Sequence, residues 1–214
     1  MKDRLGIIKV APAHPSTEAI KKAASTIKAG GTVVYPTRCL YGLGADAFNA
    51  AAVDKIYSIK QRPAQKPILI LIDHSRQLKR LVTQVPTIAE KLMRQFWPGK
   101  VTIVFEAGSG VSPVLTGGSG KIGVRLPGHP VASALVEAVA SPITGTSANL
   151  SGSPGCHQIS DLAPQVARRL ELVLDAGPLA GGAGSTVVDV TQGDRPLVLR
   201  EGVICVRDIM LASS

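Results

Sequence analysis

The sequence predicts an α/β fold in which a single twisted mixed sheet is flanked by helices. Helical patterns alternate with short apolar strands over much of the chain, which is typical of α/β domains. Short strands are crowded towards the end, which favours a mixed sheet over regular strand–helix–strand units. No long charged or Ser/Pro-rich segment divides the 214 residues, so we expect one domain over residues 1–214.

Capping residues set the predicted helix boundaries. Ser16 or Thr17 can cap the first helix, Gly30 can end it, and Pro130 suits the first turn of a later helix. In chain order, the predicted helices cover residues 16–29, 49–59, 75–82, 86–96, 130–140 and 161–170.

Apolar and β-branched runs predict the strands. The uninterrupted run Ile68–Ile72 suits a strand buried on both faces, whereas alternation places Lys121, Gly123 and Arg125 on one face of another strand. In chain order, the predicted strands cover residues 32–35, 68–72, 101–105, 122–126, 142–146, 172–174, 186–190, 197–199 and 203–206. Loops 36–44 and 146–152 each follow a strand, and ligands of open α/β sheets bind at such strand ends.

Charge and composition limit the classes of partner and compartment. The net charge of +9 favours a polyanionic partner, while 3% aromatic residues argue against a base-stacking platform. Cys39, Cys156 and Cys205 have neither metal-site nor disulfide spacing, so we expect a reducing, cytoplasmic location. The histidines are not paired at the spacing of a metal site, so we expect no metal ion held by protein side chains. No apolar run is long enough for a membrane span, and no membrane association is expected.

Two short segments carry the candidate chemistry. Lys60, Arg62 and Lys66 are clustered within seven residues that also contain two prolines, and such fixed cations suit a polyphosphate or carboxylate ligand. Well downstream, Ser147 and Asn149 lie in a loop whose small hydroxyl and amide groups suit the orientation of that ligand. Together these segments predict an anion-handling enzyme, whereas the first segment alone would read as a solvated basic turn.

Three segments resemble well-known functional motifs but do not match them fully. The glycines of 42–47 match a dinucleotide fingerprint, but neither a helix nor an acidic residue follows at the required distance. The segment Gly118–Lys121 lacks the spacing of a phosphate loop, although Lys121 can still reach a phosphate as a point charge. Ser147 does not lie in a nucleophile elbow, so we interpret it as a hydrogen-bonding group.

Nine short motifs occur in a fixed order. They cover residues 30–37, 41–44, 60–63, 66–67, 96–99, 123–127, 146–152, 185–189 and 199–202. In this order they resemble the YrdC/YciO-type family of threonylcarbamoyl-AMP synthases, over a core of about residues 16–204. The resemblance implies a YrdC-like fold with a concave, basic cavity.

The resemblance also implies a reaction. L-threonine and bicarbonate would react with ATP, accompanied by Mg²⁺, to give threonylcarbamoyl-AMP and pyrophosphate. This nucleotidyltransferase activity would serve threonylcarbamoyladenosine formation in tRNA, together with partner proteins of that modification pathway. Such chemistry needs positioning and charge neutralisation rather than an acid–base pair, which agrees with the residues present.

Candidate site residues follow from the matching motifs and from Lys121. The candidate catalytic residues are Lys60, Arg62, Ser147 and Asn149. The candidate ATP-binding residues are Arg62, Lys66, Lys121, Asn149 and Arg200. The candidate threonine-binding residues are Thr37, Cys39, Arg125, Ser147 and Ser185.

Two departures from the family pattern leave alternatives open. Cys39 stands where the family usually has threonine, and Arg38 stands where it usually has an acid. A thiol is a weak hydrogen-bond partner, so the departure bears on threonine recognition. One alternative is a protein of the same fold that binds tRNA or double-stranded RNA without synthase activity. Another is a carbamoyl-transfer enzyme that uses carbamoyl phosphate.

Overall fold

The computed structural model describes residues 5–193 and 195–213. The strands are β1 (Gly6–Lys9), β2 (Val33–Pro36), β3 (Tyr41–Gly44), β4 (Ile70–Leu71), β5 (Val101–Glu106), β6 (Lys121–Arg125), β7 (Ile143–Thr144), β8 (Thr146–Ser147), β9 (Leu172–Asp175), β10 (Thr186–Asp189) and β11 (Leu197–Arg200). The helices are α1 (Thr17–Lys28), α2 (Ala50–Lys60), α3 (Leu78–Leu81), α4 (Thr87–Phe96), α5 (Pro113–Thr116), α6 (Pro130–Val139), α7 (Pro164–Ala167) and α8 (Val206–Ser213). Short 3₁₀ turns cover Ser75–Gln77 and Ile159–Asp161.

The mixed α/β prediction is confirmed, but the strands form two sheets instead of one. The first sheet has the order β1-β9-β2-β3-β8, and the second has the order β11-β10-β5-β6-β4-β7. Both sheets contain parallel and antiparallel pairs. The chain passes from the second sheet to the first at Gly145, where an added Cβ would lie 2.5 Å from Leu69 Cδ1. The predicted strand 142–146 is therefore divided, with β7 pairing in one sheet and β8 in the other.

Helix ends follow the capping residues. Ser16 Oγ accepts a hydrogen bond from Ala19 N at 3.2 Å, and Pro130 occupies the first turn of α6.

One core cluster contains Val34 from the first sheet and Ile103 from the second, so the two sheets share buried contacts. That residues 1–214 form a single domain stays a prediction. No helix in the described part of the chain is long and apolar enough to cross a membrane.

The predicted loop 36–44 contains a strand, β3. Its glycines concealed it, because glycine weakens strand propensity and usually indicates a turn. Here the glycines lie against the buried ring of Tyr35 in the neighbouring strand. A Cβ at Gly44 would stand 2.7 Å from Tyr35 Cε1, so the strand needs glycine for close packing.

We expect the Gly44→Ala substitution to lower the free energy of unfolding by about 2 kcal/mol, since overpacking forces neighbouring groups to move. Urea denaturation measures the change. Gly110→Ala is the matched control, because the nearest atom to its added Cβ, Arg80 O, is 3.9 Å away. Equal stability of the two variants would contradict the packing role of Gly44.

Two other predicted elements are wrong in part. Only residues Pro164–Ala167 of the predicted helix 161–170 are α-helical. Residues 203–206 form no strand, and α8 begins at Val206. The cause is Thr186, whose hydroxyl donates to Ile204 O at 2.6 Å and accepts from Gly202 N and Ile204 N at 3.0 Å. These bonds hold the apolar run in a turn. Helices α5 and α8 and strand β1 were not predicted.

Candidate active site

A cavity of about 520 Å³ is lined by residues of both sheets. Its cationic lining residues are Arg38, Arg62, Lys121, Arg125 and Arg200. Among the described residues that line it, Asp189 is the one carboxylate. The cavity has the size of a small-molecule site, and its charge suits an anionic ligand.

One face of the second sheet forms the floor of the cavity. Lys121, Gly123 and Arg125 of β6 line it, which agrees with the predicted alternation. Thr102 and Val104 of β5 and Val187 and Asp189 of β10 line it too, at alternate strand positions. The opposite face packs into the core through Ile103, Val124 and Val188.

Arg125 is half-buried and lines this cavity. Its Nε atom is buried and has no hydrogen-bond partner among the described residues. No ion pair joins it to a described carboxylate. Burial lowers the pKa of Arg125, Tyr35 and Cys39 oppose that change, and the charge of Arg200 adds to it. A guanidinium with a buried, unpartnered Nε and no counterion is costly, so this group is suited to an anionic ligand.

Lys60 lies outside the cavity, which departs from its predicted contact with phosphates. Its side chain is 1% exposed, and its ammonium donates to Ser147 O (2.5 Å), Asn149 O (2.8 Å) and Asn149 Oδ1 (3.1 Å). Burial first, and then the charge of Arg62, lower the pKa of Lys60 to about 8. Lys60 therefore stabilises the loop that contains Ser147 and Asn149 through these hydrogen bonds.

The loop that Lys60 holds begins in β8. Ser147 lines the cavity and pairs with Gly42 of β3. Its hydroxyl donates to Asn149 Oδ1, and the Asn149 amide donates to Ser153 O. Asn149 does not line the cavity, so the structure places it beside Ser147 as a support.

Two arginines at the cavity are held by backbone carbonyl groups. Arg62 donates from Nε to Lys66 O at 3.1 Å and from Nη2 to Pro67 O at 2.8 Å. Arg200 donates from Nη2 to Ser185 O at 2.8 Å. These bonds fix both guanidinium groups at the cavity wall. The Lys66 side chain is exposed and does not line the cavity.

The hydroxyl groups predicted to bind threonine are already engaged. Thr37 Oγ1 donates to Leu40 O at 2.6 Å, and Ser185 Oγ shares a 2.8 Å hydrogen bond with Thr102 Oγ1. Both residues line the cavity, as does Cys39, which is 8% exposed. Because the Thr37 hydroxyl already donates its hydrogen to Leu40 O, it offers only its lone pairs to a ligand.

Asp189 is a cavity residue that the sequence interpretation missed. Its Oδ2 lies 3.0 Å from Lys121 Nζ, and its Oδ1 accepts from Thr191 N at 2.8 Å. Burial alone would raise the pKa of Asp189, but the bonds from Thr191 and Lys121 outweigh burial and lower it. The available signal was a carboxylate at the end of the strand that follows Ser185.

Metal-ligand clusters are absent from the described ranges. No group of three His, Cys, Asp or Glu side chains within residues 5–193 and 195–213 could hold a metal ion.

Comparison with known proteins gives the family. Residues 25–202 match the family model named Sua5/YciO/YrdC, which carries the description "Telomere recombination". The chain belongs to the Sua5/YciO/YrdC family. The resemblance proposed from the nine motifs is thereby confirmed.

Two curated relatives differ in how much of their length this Sua5/YciO/YrdC chain spans. The threonylcarbamoyl-AMP synthase of Pyrococcus abyssi is 38% identical over 190 residues, which cover 89% of this chain and 56% of the relative. The putative threonylcarbamoyl-AMP synthase of Mycobacterium tuberculosis is 38% identical over 188 residues, which cover 88% of this chain and 86% of the relative. The chain thus spans little more than half the length of the archaeal relative.

A solved structure agrees with the fold. The crystal structure of P. abyssi Sua5 complexed with L-threonine superposes with a TM-score of 0.91 at 36% identity, over 96% of this chain and 60% of that one. The YrdC-like fold expected from the motifs is confirmed.

Proposed function

We propose that this chain makes threonylcarbamoyl-AMP and pyrophosphate from L-threonine, bicarbonate and ATP. The observation that carries the proposal is Arg125, a half-buried residue whose buried Nε has no hydrogen-bond partner among the described residues, in a cavity lined by four further cations. The relatives named as threonylcarbamoyl-AMP synthases support it.

Arg125 is suited to the threonine carboxylate. A guanidinium group can bind a carboxylate through two parallel hydrogen bonds, and a planar fork fixes the direction of the amino acid. Lone pairs of the Thr37 and Ser147 hydroxyls remain available for substrate N–H and O–H groups, since their hydrogens are donated to the protein. Cys39 lies on the same wall and would contribute packing more than hydrogen bonding.

The reaction itself needs charge stabilisation. The threonine amine and bicarbonate form a carbamate with loss of water. A carbamate oxygen then attacks the α-phosphorus of ATP, the bond to the β-phosphate oxygen breaks, and pyrophosphate leaves. Arg62 and Arg200 at the cavity wall offset charge on the phosphates, and their carbonyl contacts keep them in place before the substrate binds.

Mg²⁺ would arrive bound to the nucleotide. The Asp189 carboxylate is already bonded to Lys121 and Thr191, so phosphate oxygens rather than protein carboxylates would hold the ion. Its chemistry there is to neutralise phosphate charge.

The wider setting is part of the same proposal. The product would be passed to partner proteins that modify tRNA in the cytoplasm, and the net charge of +9 suits an encounter with tRNA.

Pyrophosphate release from ATP and bicarbonate tests the activity, with and without L-threonine. We expect release that depends on threonine, with serine and carbamoyl phosphate as control substrates. Folded protein that releases no pyrophosphate under any of these conditions would overturn the proposal. Salt-sensitive RNA binding in that case would favour the non-enzymatic alternative.

Replacing Arg62 by alanine should lower kcat/KM at least about tenfold, because a fixed cation that stabilises phosphate charge is lost. Steady-state kinetics with varied ATP measure the effect. Arg76→Ala removes an exposed arginine outside the cavity and is the control. Unchanged kinetics in the Arg62 variant would remove this residue from the site.

A further inference from the structure

Residues 176–185 form a connecting segment between the two sheets, beside the cavity. The segment leaves β9 of the first sheet and enters β10 of the second, and its last residues, Gly184 and Ser185, line the cavity. Glycines at positions 177, 181 and 182 have φ angles between 70° and 79°, a region that favours glycine. Glycine also leaves a chain flexible, so contacts with other parts of the protein must hold the connecting segment in place.

The hydroxyl group of Tyr41 holds the start of the connecting segment. Tyr41 lies in β3, is fully buried and lines the cavity. Its hydroxyl donates to Gly177 O at 2.7 Å and accepts from Ala176 N at 2.9 Å. Burial raises the pKa of Tyr41 to about 12, so the hydroxyl keeps its hydrogen at neutral pH. Phenylalanine at this position would preserve the ring but leave both backbone groups without this partner.

The middle of the connecting segment holds the turn that precedes Tyr41. Gly181 N donates a hydrogen bond to Cys39 O at 3.0 Å. The turn covers residues 37–40, and all four of them line the cavity. A ring of contacts therefore runs from the Tyr41 hydroxyl along the connecting segment to Cys39, and back along the chain to Tyr41.

This ring joins one cavity wall from each sheet. Thr37 directly follows β2 of the first sheet, whereas Ser185 directly precedes β10 of the second. Both are candidate threonine-binding residues that line the cavity. The spacing between them depends on the connecting segment, which contains Ser185 and is hydrogen-bonded to the turn after β2. A ligand that contacts both walls binds more tightly when their spacing is fixed in advance, because ordering them on binding costs free energy.

We propose that Tyr41 is a positioning residue for amino-acid binding, whose hydroxyl acts through the connecting segment to set the spacing of the two walls. Tyr41 needs no contact of its own with the substrate in this role. The inference rests on the proposed function for the identity of the amino acid, but its test does not require turnover. Arg62 is held by the carbonyl groups of Lys66 and Pro67, outside the ring, so phosphate binding should not depend on Tyr41.

Isothermal titration of the Tyr41→Phe variant with L-threonine tests the role. We expect the dissociation constant for threonine to rise about fivefold or more, because the walls must then be ordered when the ligand binds. ATP with Mg²⁺, titrated separately, should bind within twofold of wild type. The difference between the two ligands distinguishes positioning from a general loss of structure, which would weaken the binding of both.

Tyr57→Phe is the matched control. The Tyr57 hydroxyl also contacts two carbonyl groups, Val114 O at 2.8 Å and Lys66 O at 3.0 Å, but Tyr57 does not line the cavity. This variant loses a comparable tyrosine hydroxyl, and its threonine affinity should stay within twofold of wild type.

Gly181→Ala disturbs the ring at a second point and serves if Tyr41→Phe does not fold. Its φ of 70° is unfavourable for alanine, although an added Cβ would meet no atom within 4 Å. We expect weaker threonine binding in this variant too. Leu179 N donates to His157 O at 2.7 Å, which keeps the connecting segment attached. Gly193→Ala is its control, because that glycine has a φ of 72° and equally open surroundings but lies outside the segment.

Two outcomes would overturn the positioning role: threonine affinity within twofold of wild type in Tyr41→Phe, or an equal loss of threonine and ATP affinity. Threonine-dependent pyrophosphate release by the wild type, together with unaltered threonine binding in Tyr41→Phe, would remove this inference alone. Weakened threonine binding in Tyr41→Phe, in a protein whose wild type releases no pyrophosphate, would keep the positioning role and remove the proposed function.

Discussion

Replacing Arg125 by methionine is expected to lower kcat/KM for threonine about a thousandfold. Loss of one partner of a buried ion pair costs about 4 kcal/mol, which corresponds to that factor. The threonine carboxylate would lose both its charge partner and the two parallel hydrogen bonds. Steady-state kinetics with varied threonine and calorimetric titration of threonine measure the loss.

The stability of the ligand-free Arg125→Met variant should not fall together with its kcat/KM. Arg125 is half-buried, burial lowers its pKa, and its Nε has no partner among the described residues. Exchange of an unpaired, half-buried charge for an apolar side chain removes a desolvation cost from the ligand-free protein. We therefore expect a melting temperature at or above that of wild type. A collapse of stability together with activity would show that Arg125 is a structural residue.

Two further variants complete the test of Arg125. Arg125→Lys retains the charge but lacks the planar fork, so its loss of kcat/KM should be smaller than that of methionine. Arg94→Met changes an exposed arginine of α4 outside the cavity and should leave kinetics unaltered.

Replacing Lys60 by methionine should lower kcat/KM about a hundredfold, although Lys60 does not line the cavity. Its ammonium supplies three hydrogen bonds to Ser147 and Asn149. Without it the Asn149 carbonyl oxygen would lose its donor, while Ser147 O and Asn149 Oδ1 would keep only the hydrogen bonds from Asn149 N and the Ser147 hydroxyl. That arrangement costs about 3 kcal/mol, part of which appears as lower stability and part as a displaced loop. Steady-state kinetics and urea denaturation measure the two parts, and Lys79→Met is the exposed control.

The pH dependence distinguishes the two effects of Lys60. Its pKa of about 8 lies below the ordinary lysine value of 10.5, so deprotonation above pH 8 removes a donor from the loop and should lower kcat/KM. Between these two values the unfolded chain binds more protons at this site than the folded chain. The contribution of Lys60 to the unfolding free energy therefore rises with pH in this window. Falling activity without falling stability is the expected result, and this basic limb should be absent in Lys60→Met.

Local patterns predicted the parts of the site that lie close together in sequence. The alternation along β6 placed Lys121 and Arg125 on one face, and both line the cavity. Arg62, Ser147, Ser185 and Arg200 were recognised from motifs, and each of them lies at the cavity. Strand alternation and ordered motifs are local, so they are readable without knowledge of the packing.

Contacts between distant segments account for what was missed. Strand β3 was not predicted because its glycines indicate a turn. Their close packing against the Tyr35 ring depends on the tertiary structure. The turn at 202–204 depends on the Thr186 hydroxyl, which comes from another strand. The division into two sheets depends on the crossing at Gly145.

The sequence by itself determined the α/β class, most helices, the basic character of the chain and the family. Only the tertiary structure decided which charges are free for a ligand. Arg125 and Lys60 are both cations in motifs, yet packing leaves one unpaired in the cavity and bonds the other to three oxygens beneath a loop. Partner choice for a buried charge depends on which distant carbonyl and carboxylate groups packing brings near it, and sequence spacing does not encode those distances.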